Sequence, residues 1–122
     1  MRATRWHGHP NHVAVESIPK PTLLTSEDAI IRLTSSAICG SDLHVYHGIA
    51  GSREAPWTLG HEGVGIVQEV GEAVQIVKPG DRVVVPCIPA DGRLDLHAVP
   101  SGKVWGYGPD QNGNTDGMQG MF

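Results

Sequence analysis

Three residues whose types suit metal chemistry lie in one stretch of this chain. Cys39 opens Cys39-Gly40-Ser41-Asp42-Leu43-His44, and His61-Glu62 opens His61-Glu62-Gly63-Val64-Gly65 after a polar loop. A thiolate, an imidazole and a carboxylate are the usual ligands of zinc, and a catalytic zinc takes three from the protein and keeps one position open. Sulfur with nitrogen favours zinc over the harder ions magnesium and calcium. The separation of Cys39 from His61 is too irregular for a finger or knuckle, so two loops must be brought together by the fold. Asp42 adds a second carboxylate that could orient the imidazole through its other nitrogen, as carboxylates around metal sites do. Ser41 and His44 stand at i and i+3, and on a helical turn they are near enough to pass a proton.

Each of these residues also has a plainer reading. An isolated cysteine and histidine are commonly a buried thiol and a hydrogen-bonded core side chain. Asp42 is equally a helix cap, and a Ser/His pair is often a solvated face. Two tempting motifs fail on inspection. Gly63-Val64-Gly65-Ile66-Val67-Gln68 begins like a dinucleotide fingerprint but lacks its third glycine and runs on as strand, not helix. His61-Glu62-Gly63-Val64-Gly65 begins like a metalloprotease HExxH and ends in glycine. The remaining histidines, 7, 9, 12, 47 and 97, show no partner pattern and read as surface residues.

The elements that must hold the candidate residues are short strands. His12 to Ile18 alternates weakly, and Pro19-Lys20-Pro21 then enforces an extended break. Asp28 to Ala37 is rich in β-branched residues and suits a strand buried mostly on one face. Ser41 or Asp42 is placed to cap a helical turn carrying Leu43, His44 and Tyr46. Gly48 to Thr58 reads as loop, with Trp57 and Arg53 either core or rim. Glu62 to Val70 is again a strand, with Gly63 and Gly65 marking a bulge or close backbone approach. Lys78-Pro79-Gly80-Asp81 is a strong turn, and Arg82 to Val85 is a strand stopped by Pro86. Cys39 and His61 therefore both sit at strand ends, where side chains from different loops can meet. Short strands joined by tight turns suggest a small barrel or sandwich.

Whole-chain properties narrow the function further. Sixteen glycines among 122 residues, with few aromatics, indicate a turn-rich β domain. A chain of this size can bury roughly two-thirds of its unfolded surface without disulfides. A formal charge of −4 with no basic run argues against a nucleic-acid partner, and no apolar stretch approaches the roughly 20 residues of a membrane span. The N-terminus has no secretory pattern. The two cysteines, Cys39 and Cys87, read as a ligand and a buried thiol, not a bridge, which makes the cytosol the expected compartment. The polar, Gly-rich segment 90–122 offers little beyond Val104, Trp105 and Tyr107 to a core.

Three blocks together carry a resemblance. Cys39-Gly40-Ser41-Asp42-Leu43-His44, then Gly60-His61-Glu62-Gly63-Val64-Gly65-Ile66-Val67 with Glu69-Val70-Gly71, then Val77-Lys78-Pro79-Gly80-Asp81-Arg82-Val83 occur in the order and spacing of a known family. The chain resembles the zinc-dependent alcohol dehydrogenases of the medium-chain dehydrogenase/reductase superfamily, from the N-terminus to about residue 89. The resemblance implies a mainly β, GroES-like catalytic domain, a distorted and partly open barrel with short helices. It implies that Cys39 and His61 bind a catalytic zinc, with Glu62 next to it and able to approach it. Asp42 is then the support of the ligand histidine, and Ser41 and His44 pass the proton of an alcohol outward as a hydride goes to NAD(P).

The departures from the pattern are equally specific. The family places a Rossmann cofactor domain and usually its third zinc ligand further along, and neither is expected within these 122 residues. NAD(P) binding is thus expected only with a Rossmann domain supplied elsewhere. No cysteine follows Cys87, so the family's structural-zinc lobe is expected to be missing or replaced by the tail 90–122, itself a candidate to complete domain 1–89. The first functional reading is an alcohol dehydrogenase-like catalytic domain, cut from a longer enzyme or natively short, acting on a small alcohol or carbonyl compound. The second is a stand-alone, non-redox enzyme that polarises a carbonyl or moves a proton, for an isomerisation, elimination or cyclisation. The third is a ligand-binding or assembly module with a vestigial site. A barrel lacking its last strands would expose a sheet edge, so a homo-oligomer is expected.

Overall fold

The strands anticipated around the candidate residues form two three-stranded antiparallel sheets in a computed structural model, which describes residues 1–87 and 106–108. The elements are β1 (Arg2–Trp6), β2 (Val13–Ser17), β3 (Ala29–Ser36), α1 (Gly40–Tyr46), β4 (Trp57–Thr58), β5 (Gly63–Val70) and β6 (Arg82–Val85). One sheet has the order β2-β1-β4 and the other β3-β5-β6. Among the described residues the sheets do not close on themselves, which is the mainly β, partly open arrangement expected from the sequence. None of the helices among the described residues is long and apolar enough to cross a membrane.

The two strands that sequence reading did not assign build the first sheet. Arg2-Ala3-Thr4-Arg5-Trp6 buries only Ala3 and Trp6, so its pattern has a spacing of three and carries no period-2 signal. Its pairing with β2 is nevertheless regular, from Arg2 opposite Ser17 to Trp6 opposite Val13. Trp57 and Thr58, read as the end of a loop, pair with Trp6 and Arg5. The Leu59 N–H continues this contact to the Thr4 carbonyl at 3.0 Å. This pairing delivers the chain to Gly60 and His61 along a fixed line.

A small aromatic core sits between this sheet and α1. Trp6, Val45, Trp57 and Leu59 are buried against one another, with Val13, Ala55 and Tyr107 packed around them. The Trp6 and Trp57 rings are tilted, 6.4 Å apart, and the Trp57 indole N–H donates to the Ser52 carbonyl at 3.3 Å. A buried tryptophan removes roughly 150–250 Å² from water, on the order of 4–6 kcal/mol of gross hydrophobic stabilisation. Trp57 is therefore core, which resolves the core-or-rim alternative for that residue.

In the second sheet β5 lies between β3 and β6. Pairing runs from Ala29 opposite Val70 to Ser36 opposite Gly63, and from Gly63 opposite Val85 to Ile66 opposite Arg82. The register slips twice, and the slip near Gly65 places the extra residue, Thr34, on β3. Gly65 is the close-approach glycine: a Cβ there would stand 2.5 Å from the Ile31 side chain and 2.6 Å from the Arg32 carbonyl oxygen. β3 is not buried on one face as its β-branched content suggested. It keeps only Ile30, Ile31 and Leu33 half-buried, because this small sheet has just one fully buried apolar side chain on β5, Val67. Gly80 in the turn before β6 has φ +98°, as the Pro-Gly-Asp turn requires.

α1 is tied at both ends. At its C-terminus Gly48, with φ +72°, donates to the Val45 carbonyl at 2.9 Å and Ile49 donates to the His44 carbonyl at 2.8 Å. That is the pair of bonds of a Schellman turn. The Asn11 N–H, from the β1–β2 connection, reaches the Tyr46 carbonyl at 2.7 Å. Cys39, not Ser41 or Asp42, is the N-cap residue. The division at residue 89 and the tail beginning at 90 fall outside the described residues except for 106–108.

Candidate metal centre

Cys39 lies between the end of β3 and the first turn of α1, and His61 and Glu62 lie between β4 and β5. These two connections bring one ligand atom from each of Cys39, His61 and Glu62 within 4.8 Å of one another. A tetrahedral zinc with Zn–S of about 2.3 Å and Zn–N or Zn–O of about 2.0–2.2 Å separates its ligand atoms by roughly 3.3–3.8 Å. The observed cluster needs only a small contraction to reach that. Sulfur, nitrogen and oxygen donors converging on one point fit zinc by chemistry as well as by size.

Asp42 lies against two members of the cluster. It is 4% exposed and sits at the third position of α1. Its Oδ2 accepts a hydrogen bond from the Cys39 backbone N–H at 2.8 Å. Its Oδ1 lies 3.1 Å from Nδ1 of the buried His61. These two facing atoms are off the line of an ideal hydrogen bond and have no other partner among the described residues. Proximity inside a buried site makes each the natural partner of the other. Of the two roles weighed for Asp42, Oδ2 makes the capping contact to the Cys39 N–H, and Oδ1 lies within reach of the imidazole. With Nδ1 toward a carboxylate, the proton belongs on Nδ1 and leaves Nε2 to a metal.

The Ser41 side chain points back at the cysteine: Ser41 Oγ is 3.5 Å from Cys39 Sγ. That hydroxyl first, then the Ser41 backbone N–H and His61, hold the Cys39 thiol below its ordinary range, against opposing effects of burial and the Glu62 charge. The arrangement favours thiolate, the form that binds metal. His44 is exposed on α1, and no hydrogen bond joins it to Ser41 among the described residues. The structure thus gathers Cys39, His61, Glu62, Asp42 and Ser41, and leaves His44 one turn away on the surface.

Some other expectations need correction. Cys87 is free, as is Cys39, but exposed and not buried, because the chain leaves the sheet at Pro86. His7 has a partner: its Nε2 is 2.7 Å from Glu16 Oε1 across the β1–β2 pair. His97 and Trp105 lie outside the described residues. Tyr107 was noted only as core material, yet its ring lies 5.9 Å from the His61 ring at a tilt of 54°. The one sequence signal of this contact is the Gly-Tyr-Gly triplet at 106–108, which marks a tight turn around an aromatic side chain.

The profile of the alcohol dehydrogenase GroES-like domain matches residues 25–121. The chain belongs to that family. It is 46% identical over 86 residues to a zinc-type alcohol dehydrogenase-like protein, AdhB, of Bacillus subtilis, covering 70% of this chain and 22% of that protein. To the NADP-dependent isopropanol dehydrogenase of Thermoanaerobacter brockii it is 54% identical over 101 residues, covering 78% of this chain and 28% of the relative. Among solved structures, alcohol dehydrogenase TADH from Thermus sp. ATN1 superposes with a TM-score of 0.79 at 37% identity, covering 99% of this chain and 35% of that one. The chain spans between about a fifth and a third of the length of these relatives. It is an alcohol dehydrogenase-like catalytic domain of the zinc-type, oxidoreductase lineage, with the GroES-like fold of that family.

Proposed function

We propose that this chain is the zinc-holding and substrate-binding part of an NAD(P)-dependent alcohol dehydrogenase, with Cys39, His61 and Glu62 as metal ligands. The observation that carries the proposal is the convergence of those three ligand atoms, with one buried carboxylate tied to both Cys39 and His61. Zinc bound there would supply a Lewis acid that lowers the pKa of a small alcohol's hydroxyl or polarises a carbonyl. The residues of this chain do the rest. Asp42, beside His61 Nδ1, would leave Nε2 free to bind the metal. In this reading Ser41, beside Cys39, takes the alcohol's proton, and His44, one turn along α1, releases it to water. Glu62 would be the third residue to hold the metal.

The hydride acceptor in this reading is NAD(P), held by a Rossmann domain supplied elsewhere. We assign residues 1–89 to the domain proper and 90–122 to a segment that completes it in place of a structural-zinc lobe, in a cytosolic enzyme. The test is zinc content per chain, measured on protein purified without added metal or chelator. About one zinc is expected in the wild type and none in Cys39→Ala or His61→Ala. Wild-type protein without zinc sinks the proposal and leaves the lineage as fold alone. Carbonyl chemistry in the absence of any nicotinamide would instead favour a non-redox use of the same cleft.

A further inference from the structure

We infer that the Gly106-Tyr107-Gly108 turn is a positioning element for the metal centre, and that Tyr107 fixes the orientation of the His61 imidazole. The inference rests on reading Cys39, His61 and Glu62 as that centre. It adds a residue far from them in sequence on which ligand geometry depends.

The turn is fastened to the segment carrying His61 at several points. Gly106, with φ +72°, lies against Gly60 so tightly that a Cβ would stand 2.5 Å from both the Gly60 nitrogen and oxygen. Gly108, with φ +77°, lies on the Trp57 indole, where a Cβ would stand 2.5 Å from Nε1. The Ser52 N–H donates to the Tyr107 carbonyl at 2.7 Å. Gly51 closes the other side, since a Cβ there would lie 3.3 Å from the same carbonyl oxygen and 2.8 Å from the Trp57 ring. Glycines flank Tyr107 because the backbone approaches core and strand more closely than any side chain permits, at a φ that other residues rarely adopt. Tyr107 is left with little freedom of placement.

That placement matters to His61. Asp42 holds one edge of the ring at Nδ1, but a single contact at 3.1 Å, off the ideal line, leaves rotation about the Cβ–Cγ bond open. A ring flip would exchange Nδ1 for a carbon and swing Nε2 away from Cys39. The Tyr107 ring packs beside the imidazole, centroids 5.9 Å apart and planes tilted by 54°, and in this inference that packing is what restricts the flip. Asp42 and Tyr107 thus act as two constraints, one electrostatic at Nδ1 and one from ring packing. The contact uses the tyrosine ring and not its hydroxyl.

The experiment reads His61 directly in the metal-free 122-residue chain, by long-range nitrogen–proton correlation of its side chain and by proton–proton NOEs between the rings at about pH 8, with cobalt(II) titration alongside. The wild type is expected to show one tautomer, protonated at Nδ1, with ring-to-ring cross-peaks between His61 and Tyr107. Tyr107→Phe is expected to keep that pattern and to bind cobalt within about twofold of wild type. Tyr107→Leu, which fills the volume without a planar ring, is expected to average the two nitrogen signals and to weaken cobalt binding about tenfold. An unchanged nitrogen pattern in Tyr107→Leu, or the absence of His61–Tyr107 cross-peaks in wild type, overturns the inference. Wild-type protein that takes up no cobalt overturns the metal centre itself, while the nitrogen pattern still decides the role of Tyr107.

Discussion

Asp42→Asn is the substitution that separates a cap from a metal-site support, because it keeps the shape of the side chain and changes only what its two terminal atoms can do. A carboxylate accepts at both oxygens, and here one faces the Cys39 N–H at 2.8 Å and the other faces His61 Nδ1 at 3.1 Å. An amide has one acceptor and one donor. If its oxygen stays on Cys39, its NH₂ meets His61, and the ring must move its proton to Nε2, the nitrogen needed for a metal. If the amide turns over, its NH₂ faces the Cys39 N–H, donor against donor, in a site where Asp42 is 4% exposed. Either way one buried polar partner is lost, about 1–3 kcal/mol, and in the first case the loss falls on ligand availability. Zinc affinity should fall by about 10–100-fold, which is roughly 1.4–2.8 kcal/mol. Competition against a chromophoric chelator measures it, with urea unfolding of the metal-free chain as the control for lost stability. Zinc binding by Asp42→Asn within about twofold of wild type would refute the reasoning, since the His61 contact would then be idle.

Three further predictions follow from other parts of the molecule. Ser41→Ala removes the first of the groups that hold the Cys39 thiol below its usual range, so the pH midpoint of Cys39 alkylation in metal-free protein should move up. Because folding lowers this pKa, the associated stabilisation is fully present above the thiol's unfolded value and is lost as pH falls through the folded one. Mass spectrometry of the Cys39 peptide across pH gives the profile, and an unmoved midpoint would count against Ser41 as the cause. Gly65→Ala must displace Ile31 and the Arg32 carbonyl, at a cost of about 1–3 kcal/mol, lowering Tm by about 4–8 °C per kcal/mol; an unchanged Tm would show that the β3–β5 contact yields freely. Strand β6 lies at the edge of its sheet among the described residues, with Val84 74% exposed; it is expected to pair with a second chain, and light scattering that finds only monomer at high concentration would reject that pairing.

The parts of the site that were legible in the sequence are those encoded within a few residues. Cys39 and Asp42 share one helical turn, and His61 and Glu62 are adjacent, so residue type and spacing exposed them without a structure. The strands β2, β3, β5 and β6 carried enough alternation, branching or turn chemistry to be drawn nearly where they lie. β1 was hidden because only Ala3 and Trp6 of its five residues reach the core, and β4 because two residues carry no period. The contact of Tyr107 with His61 was out of reach for a different reason: it joins segments far apart along the chain, and nothing local to either residue names the other. Cys87 was misplaced because cysteine's general preference for the interior says nothing about where a strand ends.

The central claim, one zinc held by Cys39, His61 and Glu62, is tested most directly by zinc-edge X-ray absorption on the purified chain. The account predicts a single sulfur at about 2.3 Å with nitrogen and oxygen neighbours at about 2.0–2.2 Å, the sulfur contribution vanishing in Cys39→Ala. A coordination shell without sulfur, or a shell unchanged by that substitution, would contradict it.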